Sequence, residues 1–155
     1  MKLLKPSSLK TVSNITHKLI LILIAVDLLS ILALPVLVRE VLLIDIGRGY
    51  ESIIANRPLY MYFLGLLYIV AILGFLILNN LRKLFVTCLE ENVFIKSNVT
   101  RLFRMAIEAG LITLAFLTKV FVVNSIMTML VVFAFFMAAV FCLVLTLLFD
   151  QAVTY

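Results

Sequence analysis

The sequence predicts an all-α membrane protein: a polytopic antiparallel bundle of four spanning helices, with a cytoplasmic amphipathic elbow between the second and third. Three observations predict it. Of the 155 residues, 65% are hydrophobic and 14% charged, whereas a soluble domain carries about 45–50% and about 25%. Four apolar runs are each long enough for the hydrocarbon core, which takes about 20 residues of helix to cross. Basic residues gather in alternate segments between the runs, the bias that marks cytoplasmic segments.

The first run, residues 19–38, follows a tail carrying Lys2, Lys5, Lys10 and Lys18. It is too long for the apolar part of a secretory signal and has no small-x-small cleavage site, so it reads as a retained span. Asp27 and Pro35 lie inside it, and Arg39 and Glu40 end it. A loop with the turn formers Gly47, Gly49 and Asn56-Arg57-Pro58 leads to the second span, 59–79. Tyr60 and Tyr62 open that span, where aromatic rings favour the membrane interface. The third and fourth spans, 105–123 and 126–149, are separated by Asn124 and Ser125 as turn residues, which dictates a hairpin. Ala134 and Ala138 offer a close helix approach on the fourth.

Orientation follows from the short segments. The N-terminal tail and the stretch with Arg82, Lys83, Lys96, Arg101 and Arg104 are the basic ones, which places both in the cytoplasm. An even number of spans returns the C-terminus to the same side, so a multi-pass cell-membrane protein with both termini cytoplasmic is expected. The formal net charge of +5 is spread over these segments rather than along one surface, which argues for anionic lipid and against direct nucleic-acid binding. No phosphate loop, catalytic triad or set of metal ligands is visible. Cys88 and Cys142 stand far apart with no Cys-x-x-Cys, and His17 has ligand spacing to neither. The expectation is a protein that is not an enzyme and holds no cofactor or metal. The sequons at Asn14 and Asn98 both fall on the expected cytoplasmic side and carry no weight.

The elbow, 80–104, is the most informative polar stretch. Leu81, Leu84, Phe85, Cys88 and Leu89 recur at helical spacing with Arg82, Lys83, Glu90 and Glu91 on the other face. The second helix is therefore expected to run on as an amphipathic extension. Glu91-Asn92-Val93-Phe94 breaks the pattern, and Ser97 or Asn98 is placed to cap a new helix by accepting a bond from a free backbone amide. Val99, Leu102, Phe103 and Ala106 carry the periodicity into the third span. One reading is a connector lying on lipid. The other is a docking surface for a cytoplasmic protein, built from Arg82, Lys83, Phe85, Phe94, Arg101 and Arg104, with Phe94 its most exposed large apolar group.

The motifs Asn80-Leu81-Arg82-Lys83-Leu84-Phe85, Asn92-Val93-Phe94 and Asn98-Val99-Thr100-Arg101-Leu102-Phe103-Arg104, with the ending Leu148-Phe149-Asp150-Gln151-Ala152-Val153, resemble a bacterial family of small four-helix membrane proteins, the domain of unknown function 2975 family. Val93 stands where that family usually has proline. The resemblance implies a membrane partner for a small helix-turn-helix transcription regulator, and it brings no catalytic residues with it.

Asp27, Glu108 and Lys119 are the charged candidates within the spans. An ionised carboxylate at the bilayer centre costs about 2.5–3.5 kcal/mol on insertion scales, so Asp27 is expected to be protonated or bonded across the bundle, for instance to Tyr68 or Thr113. Glu108 can pair with Arg104 one turn before it, and Lys119 can snorkel to the headgroups. Two functions of different class are open: regulation through a cytoplasmic partner, and a small transporter or immunity-type protein, alone or as a homo-oligomer, that uses Asp27. An intramembrane detoxification enzyme is disfavoured, because the arginine-rich cofactor-binding pattern is missing.

Overall fold

A computed structural model of the chain describes residues 6–46, 51, 55–89 and 94–155, with the side chains of 6–10, 13, 41–46, 88 and 89 outside the description. The Cys88 side chain and residues 91–93 of the expected break therefore lie outside the described parts. Among the described residues the architecture is all-α, with four long helices: α1 Pro6–Ile46, α2 Arg57–Leu89, α3 Lys96–Val122 and α4 Ile126–Thr154. Each is long and apolar enough to cross a membrane. The shortest has 27 residues, about 40 Å at the helical rise, against a hydrocarbon core of about 30 Å.

The helices outrun the apolar stretches that announce them. α1 begins at Pro6, whose fixed φ and missing N–H suit the first helical position. It also passes unbroken through Pro35, which removes the backbone bond that would reach the carbonyl of Ile31. α2 opens with the Tyr60 N–H donating to Asn56 O at 3.0 Å and continues to Leu89, through the segment whose periodicity announces a helical extension.

The residue preceding α3 is Ile95, in extended backbone with no side-chain cap bond. The expected cap at Ser97 or Asn98 is thus not used. Both residues lie inside the helix, and the Asn98 side chain is committed to α2. α3 ends in an extended Val123 whose N–H donates to Lys119 O at 2.8 Å, and Ser125, also extended, precedes α4.

Packing follows chain order: α1 against α2, α2 against α3, α3 against α4. Other helix pairs scarcely meet among the described residues, so the arrangement is an open row rather than a ring around one core. α3 has neighbours on both sides, and 28% of its apolar window is buried against 11% in each of the other three. Its buried face, Asn98, Leu102, Met105, Ala106, Ala109 and Ile112, follows the helical repeat. At the other end of α3 the buried pair Val38 and Phe63 is packed by Leu59, Leu64, Leu67 and Val123.

The outward faces are apolar. Leu32 is 80% exposed and Phe121 85%, and comparable side chains cover α1 and α4. A water-soluble monomer does not expose continuous apolar surface on this scale, so the fitting solvent is lipid. This gives a direct test of inside against outside. Phe63→Ala empties a buried site and is expected to lower stability in micelles by about 2 kcal/mol or more, from lost contacts rather than hydrophobic transfer. Phe141→Ala, on an exposed face, is expected to change it by less than about 0.5 kcal/mol. Unfolding by a denaturing detergent measures both.

Candidate functional site

The polar side chains collect along the α2–α3 contact. Near the start of α2, the Tyr62 hydroxyl lies 2.8 Å from Thr118 Oγ1. Thr118 spends its single proton on Ala115 O at 2.7 Å, so Tyr62 is the donor between them. One residue along, Lys119 is 6% exposed, with its ammonium 5.9 Å from the centre of the Phe63 ring. The expected snorkelling to the headgroups is therefore not seen: a ring face is on hand, and the cation turns inward onto it. Tyr60 reaches the other way, donating to Pro35 O on α1 at 3.4 Å.

Further along, Asn80 Nδ2 donates to both oxygens of Glu108, at 3.1 and 3.2 Å. Arg104, the partner expected from helical spacing, acts on Glu108 through charge alone. The α2 amide points straight across the interface, whereas the Arg104 side chain is exposed.

The third polar contact joins the C-terminal end of α2 to the N-terminal end of α3. Asn98 is 0% exposed; its Oδ1 accepts from Arg101 Nη1 at 3.0 Å and shares the single Thr87 hydroxyl proton, at 2.9 Å, with Leu84 O at 2.8 Å. The same Arg101 nitrogen donates to Lys83 O at 3.1 Å. A cation set against the last turns of α2 also complements the negative end of that helix. One buried amide thus fixes how two helices meet across the break between them.

Around this clamp the partner-binding candidates divide. Arg101 is held by it and half-buried, Arg82 and Phe85 are half-buried, and Lys83 and Arg104 are exposed. Phe94 is 59% exposed, its ring centre 5.2 Å from that of Phe149 on α4. Lys96 and Phe103 are exposed beside them.

Asp27 stands apart from Glu108 and Lys119, so the three charged candidates do not form one site. It faces α2 at Gly74, where an added Cβ would sit 3.9 Å from Oδ1. Its Oδ2 is buried without a hydrogen-bond partner, as is His17 Nδ1 elsewhere on α1. The expected bond to Thr113 is not formed, because Thr113 bonds its own helix at Ala109 O and α1 does not pack on α3. Cys142 is a half-buried free thiol. Among the described residues no group of His, Cys, Asp or Glu is placed to hold a metal ion.

Sequence reasoning passed over Asn80, Thr87 and Asn98 as members of one set. The available signal was amides and hydroxyls at the ends of apolar helices, where each must find a partner. No protein-family model, curated protein or solved structure matches this chain.

The clamp makes a quantitative prediction. Asn98→Leu removes the acceptor that Arg101 and Thr87 share, leaving them Lys83 O and Leu84 O, and is expected to cost about 1–1.5 kcal/mol. Thr100→Ala, which removes an exposed hydroxyl bonded only within its own helix at Lys96 O, is expected to cost less than about 0.5 kcal/mol. Detergent unfolding of the two variants side by side measures the difference.

Proposed function

We propose that this is a regulatory multi-pass protein of the bacterial cell membrane, binding rather than catalytic, whose segment 80–104 forms a cytoplasmic elbow that docks a cytoplasmic protein such as a small helix-turn-helix transcription regulator. The observation that carries the reading is the Asn98 clamp. It holds the junction of α2 and α3 in one geometry while Lys83, Phe94, Lys96, Phe103 and Arg104 remain exposed around it. A rigid support under exposed aromatic and basic side chains is what a recognition surface needs.

The four helices are read as an antiparallel bundle. The contacts supporting this run in opposite order along neighbouring helices: late Pro35 of α1 meets early Tyr60 of α2, and early Tyr62 of α2 meets late Thr118 of α3 while the later Asn80 meets the earlier Glu108. With lysines in the N-terminal tail and basic residues in 82–104, the same side faces the cytoplasm. The resemblance to the domain of unknown function 2975 family supports both the bacterial source and the choice of partner.

Photo-crosslinking side chains placed at Lys83, Phe94 and Lys96 are expected to capture one cytoplasmic protein in native membranes, whereas the same probe at Leu32 or Phe141 captures none. Deleting the chain is expected to change transcription of a restricted set of genes. An elbow that yields only lipid adducts, together with unchanged transcription, would refute the reading.

A second reading, a small transporter or immunity-type protein, is favoured by one observation: the unpartnered Oδ2 of Asp27 inside a spanning helix. Buried ionisable groups in membranes are commonly part of ion or proton pathways. Under this reading Asp27→Asn abolishes proton or solute movement in proteoliposomes while leaving insertion intact. A variant that transports like the parent would reject it.

A further inference from the structure

Between α3 and α4 lies an apolar groove of about 460 Å³, open along one side and lined by Ile107, Gly110, Leu114, Phe136, Ala139 and Val140. Glycine in a spanning helix usually lets two backbones approach closely. Gly110 does not serve that end, since a Cβ added there would meet nothing within 4 Å. The residue leaves space empty. A helix interior is weakened by glycine relative to alanine, and here the result is a recess.

A cation lies on the same face of α3 just beyond the recess. Arg104, Ile107, Leu111 and Leu114 recur at i, i+3, i+7 and i+10, which places them along one stripe of α3. The last three line the groove. Arg104 is exposed on that stripe, about 5 Å along the axis from Ile107. The carboxylate nearest in sequence, Glu108, is bonded through both oxygens by Asn80 on the α2 side. The guanidinium is exposed and meets Glu108 through charge alone, so its planar fork can take a phosphate in two-point contact.

We propose that this groove is a binding site for one anionic glycerophospholipid, an acyl chain lying along Gly110 and Ala139 and the phosphate meeting Arg104. The lining is apolar where a chain would lie, Arg104 stands about one turn beyond it on the same helix stripe where a headgroup would emerge, and the volume falls within the range of about 300–1,000 Å³ typical of small-molecule sites. A lipid held here would complete the contact between α3 and α4, which the groove leaves partly unfilled.

The test uses the full chain in mild detergent, with native mass spectrometry during titration of phosphatidylglycerol or phosphatidylcholine bearing the same acyl chains. The parent is expected to retain one phosphatidylglycerol in preference to phosphatidylcholine. Gly110→Leu puts a side chain into the recess from a Cβ that meets nothing within 4 Å, and Arg104→Ala removes the phosphate partner. Each is expected to weaken retention about tenfold, the worth of one charge-assisted contact or of comparable lost packing. Gly65→Leu is the control, because Gly65 lines a second apolar groove between α2 and α3 and also has no atom within 4 Å of an added Cβ. It is expected to leave retention unchanged, and it shows that a leucine in such a groove is tolerated by the fold.

Equal retention by parent and Gly110→Leu, equal loss in Gly65→Leu, or equal binding of the two lipids would overturn the proposal. So would a dimer mass that Gly110→Leu abolishes, which would assign the groove to a helix of a second copy.

Discussion

The α2–α3 contact is the constraint on which the remaining structure depends. In lipid no hydrophobic driving force separates one helix face from another, so association rests on packing and on polar bonds that would otherwise lack a partner. Polar bonds cross this contact at three heights: Tyr62 with Thr118, Asn80 with Glu108, and Thr87 with Asn98 beside Arg101 with Lys83 O. From Tyr62 to Thr87 they span 25 residues of α2, about 38 Å of helix. A shift of one turn would unpair all of them together. Apolar faces tolerate such a shift, and a ladder of hydrogen bonds does not.

With that pair set, the outer helices attach by different means. α1 meets α2 through Val38 against Phe63 and through the Tyr60 bond to Pro35 O. α4 meets α3 through small and apolar side chains, with Ala106, Ala109 and Ala139 buried. The open row explains the uneven polarity of the helices. α3, flanked on both sides, can carry Asn98, Glu108 and Lys119 because neighbours supply acceptors, donors and a ring face. α4 has one neighbour and is almost wholly apolar along its exposed length.

What the sequence makes legible, and what it leaves hidden, divides along the same lines. The four helices are readable because span length and hydropathy are local properties, and the run of α2 through 81–89 is readable because helical periodicity persists there. Partners across helices are not local. Arg104 looks like the natural mate of Glu108 because both lie on one helix, while Asn80, its actual partner, is 28 residues away. Asn98 looks like a cap because it stands near a helix start, yet its side chain is drawn to α2. Ala134 and Ala138 suggest a close approach, but both are exposed and Ala139 is the buried one. In each case the missing information is the rotational setting of one helix against its neighbour.

Asp27 belongs to the same argument. A carboxylate oxygen buried without a partner is costly in a crowded bundle, where every neighbouring group is committed elsewhere. α1 lies at the end of the row, however, and among the described residues packs mainly on α2, with Asp27 facing it where Gly74 presents no side chain. Gly74 and Asn80 lie six residues apart on the same helix, about 9 Å along the axis. A change at Asp27 that altered the seating of α1 would therefore press on α2 close to its Glu108 bond. Through the ladder it would bear on the Asn98 junction. On the regulatory reading, that route through α2 links the charged residue in the membrane to the surface where a partner would dock, and it requires no contact between α1 and the elbow.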